Sequence, residues 1–236
     1  MKTPKNTKTD LHTCEFCKRG FHNELTMINH SCEKKRRWFM RDEPHARLAF
    51  MAWARFYELN SNLKKAGTKR TYREFMDSRY YIAFIKFGKQ IVDLNAVVPA
   101  KFIDYVIKNN LPLDKWTHDA VYERYVDELV KTESPEDALE RTIELMKTWS
   151  EQTSENWYDF FRNVNANQAA YWIKTGKISP WVLYNTDSAE ELLTRCSDEQ
   201  INMIATTAKP GPWKVKFNRS KDSADWIRDT LRKAGL

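Results

Sequence analysis

The sequence predicts a mainly α chain of 236 residues, with a small cysteine- and histidine-bearing module ahead of an all-α, multi-helix body. Three observations predict it. From Glu43 onward, apolar residues recur at three- and four-residue spacing, the period that puts them on one helix face. Helix-start signals punctuate that stretch, Ser134-Pro135-Glu136-Asp137 and Ser197-Asp198-Glu199-Gln200 among them. Three of the 4 cysteines fall within the first 32 residues, with His22 and His30 between the second and third.

Composition divides the chain into residues 1–11, a polar, Lys/Thr-rich stretch expected to be a disordered basic tail, residues 12–38, the compact module with its basic connector, and the helical body, 39–236. A subdivision of the body, if it has one, is expected near residues 150–165. In the body, Ala46, Phe50, Trp53, Phe56 and Tyr57 define the apolar face of a first helix, and Asn60–Thr68 reads as a turn. A second helix is expected over Tyr72–Asp93, burying Phe75, Ile82, Ile85 and Phe87. Pro99 suits the first turn of a third, ending near Asn110. Val121, Tyr125, Val126 and Leu129 repeat at helical spacing. Ser134 and Pro135 open a helix carrying Leu139, Ile143, Met146 and Trp149, with two acids near the positive end of its dipole.

Ser154 is expected to cap a helix around Trp157, Phe160 and Phe161. Residues 165–185 read as a short helix, a turn at Thr175-Gly176-Lys177 and a helix opened by Ser179-Pro180. Ser188 and Ser197 each begin a capping box. Pro210-Gly211-Pro212 reads as a break, Trp213–Phe217 alternates like a short strand, and residues 222–233 form a last helix.

The formal net charge of +7 is unevenly placed. Residues 1–38 hold nine Lys/Arg against four acids, while the rest of the chain is close to neutral. A local cationic excess is the footprint of a phosphate-binding surface. With only 6 Gly, and without GxxxxGK, GxGxxG, GxSxG or HExxH, the chain lacks the common nucleotide-binding and hydrolytic motifs, and no enzymatic role is expected. No run of 18 apolar residues is long enough to span a membrane, and the N-terminus has no apolar secretory segment. The expected location is the cytoplasm, where clustered cysteines favour metal over disulfides.

Cys14-Glu15-Phe16-Cys17 lets one tight turn aim two sulfurs at one ion, and twelve residues separate Cys17 from His30. Phe21 and Met27 lie where a small unit needs an apolar plug, and Asn23 can cap the helix that carries His30. This arrangement over residues 12–32 resembles the C2H2 zinc finger. It departs at the fourth ligand, where the family expects a second histidine three to five residues on and this chain has Cys32. Two ligands on one helix would stand three or four apart, so the helix must end near His30 and Cys32 must return from the next turn. The expected site is one structural Zn2+ held by Cys14, Cys17, His30 and Cys32, with His12 and His22 as substitutes. Four protein ligands leave no open position for catalysis, and in so short a unit binding and folding are one event.

Lys34, Lys35, Arg36 and Arg37 follow the last ligand directly. With Lys18 and Arg19 they are the expected phosphate contacts, and Trp38 is a candidate for stacking on a base. Phe39 is expected in the body's core. Lys64, Lys65, Lys69, Arg70 and Arg73 could extend the track, although an ordinary solvated helix face is the readier explanation of them. One finger covers about three base pairs, so it anchors rather than specifies. Residues 168–184 are faintly like a helix-turn-helix, with Lys174 and Lys177 facing outward. His45 reads as a cap or surface residue, His118 as an ordinary helix residue, and Cys196 as a buried, inert thiol.

The runs HSCEKKRRW at 30–38 and WIKTGKISPWVLYN at 172–185 together resemble a group of uncharacterised zinc-finger proteins of tailed bacteriophages. That resemblance implies a host cytoplasm and a place in phage DNA replication, transcription or packaging, without catalytic residues. The expected function is a non-enzymatic accessory protein that binds nucleic acid, DNA ahead of RNA, and docks on a protein partner such as a polymerase, helicase or packaging machine. The alternatives are a protein–protein adaptor that uses the finger as a clip, and a nuclease built from dispersed carboxylates.

Overall fold

The computed structural model describes residues 11–60 and 70–236. The expected disordered tail and the turn after Asn60 fall almost wholly outside them. The chain forms two compact units, one of Met1–Asn95 with Pro99–Thr117, the other of Ala96–Val98 with His118–Leu236. Residues 150–165 lie within the second.

The first unit opens with a two-stranded antiparallel hairpin, β1 (His12–Thr13) and β2 (Gly20–Phe21), in which His12 faces Phe21 and Thr13 faces Gly20. Helix α1 (Glu24–Asn29) completes the expected ββα-like module, and α2 (Glu33–Phe39), α3 (Pro44–Asn60), α4 (Tyr72–Met76), α5 (Tyr81–Asp93) and α6 (Pro99–Lys108) follow. Trp116 is the centre of the core. Its ring lies 5.0 Å from Phe87 and 5.6 Å from Phe84, and its Nε1 donates to the Leu111 carbonyl at 2.9 Å.

Helices α3 and α5 approach closely because small residues line the contact. Ala46, Ala49 and Ala52 are fully buried on α3, and Gly88 faces them from α5. A Cβ on Gly88 would stand 2.1 Å from the His45 carbonyl oxygen and 3.0 Å from the Ala49 Cβ. Gly88→Ala gains about 1 kcal/mol of helix propensity but forces two backbones apart, an overpacking cost of about 1–3 kcal/mol or more. The obstacle is backbone rather than a flexible side chain, so the cost should win. A lowered urea midpoint is expected, and an unchanged or raised one would show that the helices can part freely.

The helix expected over Tyr72–Asp93 is two helices. A capping box between Thr71 and Glu74 starts α4, which ends at Asp77. The Ser78 hydroxyl then accepts from the Tyr80 amide at 3.2 Å, a local bond that competes with continued helix. Because α5 restarts with its own phase, Tyr81, Phe84, Ile85, Gly88 and Ile91 are buried and Ile82 is exposed rather than buried.

The second unit is built from α7 (Asp119–Thr132), α8 (Pro135–Thr153), α9 (Phe160–Asn163), α10 (Ala166–Lys174), α11 (Pro180–Leu183), α12 (Ala189–Thr194), α13 (Asp198–Thr207), α14 (Pro210–Arg219) and α15 (Lys221–Lys233). Val121, Tyr125, Val126 and Leu129 are buried as their spacing predicts, and the Ser134 hydroxyl caps α8 by accepting from the Asp137 amide at 3.0 Å. Tyr122 and Tyr125 fasten the 96–98 segment. The Tyr122 hydroxyl accepts from the Val97 amide at 2.9 Å and donates to the Thr175 carbonyl at 3.1 Å, and Tyr125 donates to the Val97 carbonyl at 2.9 Å. Burial pushes the Tyr122 hydroxyl up to about 12, so it stays protonated as a donor.

Four expectations fail here for local reasons. Residues 213–217 are helical, within α14, and Pro210 opens that helix instead of breaking the chain. Trp213 and Phe217 both pack on Trp181, at 5.6 and 5.3 Å, while Val215 faces out. Apolar residues at i and i+4 satisfy a helix as well as an alternating strand does. Ser154 does not cap a following helix. It ends α8 in the left-handed region, at φ 62°. Ser188 precedes α12 but sits in helical geometry and makes no side-chain cap bond, whereas the box at Ser197 and Gln200 forms. Among the described residues, no helix is long and apolar enough to cross a membrane.

Candidate metal centre

The turn between β1 and β2 folds back on itself. The Lys18 amide donates to the Cys14 carbonyl at 2.9 Å, the Cys14 amide donates to the Arg19 carbonyl at 3.0 Å, and Lys18 takes φ 62° to close the loop. This brings the Cys14 and Cys17 sulfurs together. Asn23 caps α1 by accepting from the Thr26 amide at 3.2 Å. The helix stops at Asn29, and His30 leaves it with extended geometry (ψ 120°). Cys32 is then the N-cap of α2, its Sγ accepting from the Lys35 amide at 3.4 Å. The helix therefore ends at His30 and Cys32 returns from the next turn, as the one-residue spacing requires.

One donor atom from each of Cys14, Cys17, His30 and Cys32 lies within 4.8 Å of the others, and Cys17 Sγ stands 3.2 Å from His30 Nε2. A tetrahedral ion with bonds of about 2.0–2.3 Å needs donor–donor edges of roughly 3.5–3.8 Å, so the set fits a structural metal ion with small adjustments. Among the described residues this is the only such cluster of Cys, His, Asp or Glu. Neither His12 nor His22 belongs to it, and among the described residues no group of three or more carboxylates converges elsewhere.

The electrostatics favour a cation here. The Cys17 amide, donating to the Cys14 thiol, outweighs burial and holds that thiol below its ordinary range. For Cys17 the Arg19 amide pulls downward, yet burial and the neighbouring Cys14 and Cys32 sulfurs prevail and push the thiol up. Sulfurs this close cannot all be thiolates without a counter-charge, which a divalent ion supplies. Phe21 packs against the His30 ring at 4.7 Å, but Phe21 and Met27 are only half-buried, and α1 buries none of its residues. The module has no core of its own sufficient to hold it.

The basic run after Cys32 is largely engaged within the first unit. Lys34 pairs with Asp77 at 2.6 Å. Lys35 Nζ donates to the Ile28 and His30 carbonyls, at 2.7 and 3.2 Å, satisfying the orphan end of α1. Arg37 donates to the Met76 carbonyl at 2.6 Å, pairs with Glu33 and lies over the Tyr81 ring at 4.2 Å. Arg36 alone of the four is exposed with no side-chain hydrogen bond or ion pair among the described residues. Trp38 is half-buried between Phe16 and Tyr72, both at 6.2 Å, and is flanked by the guanidinium groups of Arg41 and Arg73 at 4.8 and 5.1 Å.

Phe39 corrects an expectation. It is 64% exposed rather than in the core. The face of α2 turned toward α4 runs through Lys34, Arg37 and Trp38, and Phe39 lies off that line. Lys18 and Arg19 are exposed, and Arg19 sits 5.5 Å over Phe21. Arg70 stacks over Tyr57 at 4.7 Å, and Arg73 stands 3.7 Å from Glu15. Lys64, Lys65 and Lys69 lie outside the described residues. The sequence reading overlooked Phe16 and Arg41. An aromatic placed between Cys14 and Cys17 was the available signal for Phe16.

The weak helix-turn-helix likeness in the second unit does not yield a reading surface. All four residues of α11 are buried. Lys174 reaches Glu123 at 3.5 Å, but Lys177 is largely buried rather than outward, and that burial lowers its pKa. His118 precedes α7 without capping it, and burial pushes the half-buried Cys196 thiol up, away from reactivity.

No family model, curated protein or solved structure matches the chain, so the bacteriophage resemblance gains no support from known proteins.

Proposed function

We propose that residues 12–39 form a zinc-organised module through which the first unit holds nucleic acid by its phosphates, the protein acting as a non-enzymatic accessory factor. The observation that carries this reading is the convergence of three sulfurs and one imidazole nitrogen on one point. Soft thiolates in a tetrahedral set with one imidazole favour zinc over magnesium or calcium, and four protein donors assign it a structural task. Around that point, Lys18, Arg19, Arg36 and Arg73 are exposed. Lys34, Lys35 and Arg37 support the reading differently from the sequence expectation. They fix the module in place and leave phosphate contact to the others. DNA ahead of RNA, and replication, transcription or packaging in an infected bacterial cytoplasm, is the setting that the sequence resemblance supplies.

A second reading, a protein adaptor, is favoured by Leu25 and Ile28. They stand one helical turn apart on α1 and are 68% and 52% exposed. Retention of labelled DNA and RNA across a salt series separates the two. A phosphate binder loses affinity steeply between about 50 and 200 mM salt. Arg36→Glu is expected to weaken binding several-fold with the zinc content unchanged, and its milder companion Arg36→Gln to lower the salt slope by about one. Absence of retention at low salt, together with capture of a specific protein partner, would overturn the nucleic-acid reading in favour of the adaptor.

A further inference from the structure

We infer that Phe39 and Arg36 form a stacking-and-phosphate platform that makes single-stranded nucleic acid, rather than duplex, the preferred ligand of this face. The inference rests on the nucleic-acid reading above and adds strandedness and the residues responsible.

Trp38 is the obvious stacking residue in the sequence, but its ring is occupied. Phe16, Tyr72, Arg41 and Arg73 surround it, leaving it half-buried. Phe39, one position on, turns the other way and is 64% exposed at the end of α2, followed by the exposed Met40. Behind it stands Phe16 at 6.5 Å, tilted by 50°, on the turn between Cys14 and Cys17. The Phe39 ring is thus backed by a residue that the metal cluster itself positions, while its outer surface is open.

Arg36 lies one helical turn earlier and is likewise exposed and unpaired among the described residues. Residues three apart on a helix have Cβ atoms roughly 5–6 Å apart, a spacing that lets one nucleotide set its base on the ring and its phosphate against the guanidinium. Charge complementarity selects the occupant. Residues 11–42 carry seven Lys/Arg against four Asp/Glu, and the acids Glu33 and Asp42 already face cations of the same segment. In a duplex the base faces are already stacked on one another and only their edges are open in the grooves, so a lone exposed phenyl would stay in water while the cations met phosphates. A single strand offers both faces of each base.

The test uses the full-length, zinc-loaded protein and fluorescence anisotropy with a thymidine oligonucleotide of about 16 nucleotides, a length that covers one small binding site, alongside a duplex of the same length. The single strand should bind more tightly. Phe39→Ala should weaken it roughly tenfold, the scale of one lost base stack, while duplex binding stays within about twofold, as expected for phosphate-only contacts. Phe39→Leu, which keeps bulk without the π face, should behave like Phe39→Ala, and Phe39→Trp should restore binding. Zinc content is measured for each variant, and unchanged content shows that the module is intact. Equal binding of the single strand by Phe39→Ala and the parent, or a preference for duplex, overturns this inference and leaves phosphate binding standing. Failure of both nucleic acids to bind the parent sinks the underlying reading as well. Capture of a protein partner that depends on Phe39 would then assign the ring to protein docking.

Discussion

Stripping the metal with a chelator, or replacing Cys17 with serine, is expected to abolish hydrogen-exchange protection across residues 12–32 while leaving α5, α6 and the second unit protected. The size of this effect follows from what else holds the module. Its strands are two residues each, and α1 has six residues and buries none of them. Helices that short are not stable alone. Structural zinc contributes an apparent ~10–16 kcal/mol in comparable peptides, far more than half-buried Phe21 and Met27 can supply. Zinc per chain, measured by atomic emission, should fall from about one to near zero in Cys17→Ser. Cys196→Ser serves as the control that keeps its metal, because the Cys196 thiol donates to the Leu192 carbonyl and lies outside the cluster. Module amides that stay protected after chelation would mean that contacts such as Arg37 with Met76 and Trp38 with Tyr72 fold the segment unaided.

The Cys14, Cys17, His30 and Cys32 cluster was legible because a shared metal ion would impose that spacing. Once Cys17 and His30 are set, a cysteine two residues past the histidine can join only if the helix ends between them, and the chain ends it there. Helix starts were legible where a cap had one chemical solution, as at Ser134 with Pro135 or at Ser197 with Gln200. Other features depend on tertiary partners that local sequence does not name. Trp213 and Phe217 fit a strand or a helix until Trp181 is there to receive both. The inward face of α2 is decided by Asp77, Met76 and Tyr72 from α4, which is why Trp38 turns in and Phe39 turns out. The run Lys34–Arg37 shows the same limit. Four consecutive cations look alike in sequence, and only the fold separates the three that hold the module from the one left free.

The largest single stability loss in the second unit is expected at Glu133. Its side chain is 0% exposed, and Arg141 Nη1 stands 2.6 Å from its Oε2, the arginine side chain being only 15% exposed. The Ser179 hydroxyl donates to its other oxygen at 2.7 Å, and Arg141 Nε donates to the Gly176 carbonyl at 3.1 Å. Glu133 is the C-cap of α7, Arg141 lies on α8 and Ser179 caps α11, so one carboxylate ties three elements and the turn at Gly176. Glu133→Ala leaves a guanidinium out of water with no counter-ion, and removal of one partner from a buried pair costs about 3–5 kcal/mol. Removing both charges is a different perturbation. The double substitution Glu133→Leu with Arg141→Met discards the desolvation cost along with the attraction, so it should be less damaging than Glu133→Ala alone and strongly non-additive. The exposed pair Arg232–Asp187, with side chains 56% and 69% accessible, sets the scale for comparison. Breaking it should cost no more than about 1 kcal/mol. Urea midpoints of the four proteins decide the matter. If Glu133→Ala falls no further than the surface variant, the ion pair is not what holds α7, α8 and α11 together, and the apolar contacts of Trp149, Phe160 and Trp181 carry the unit without it.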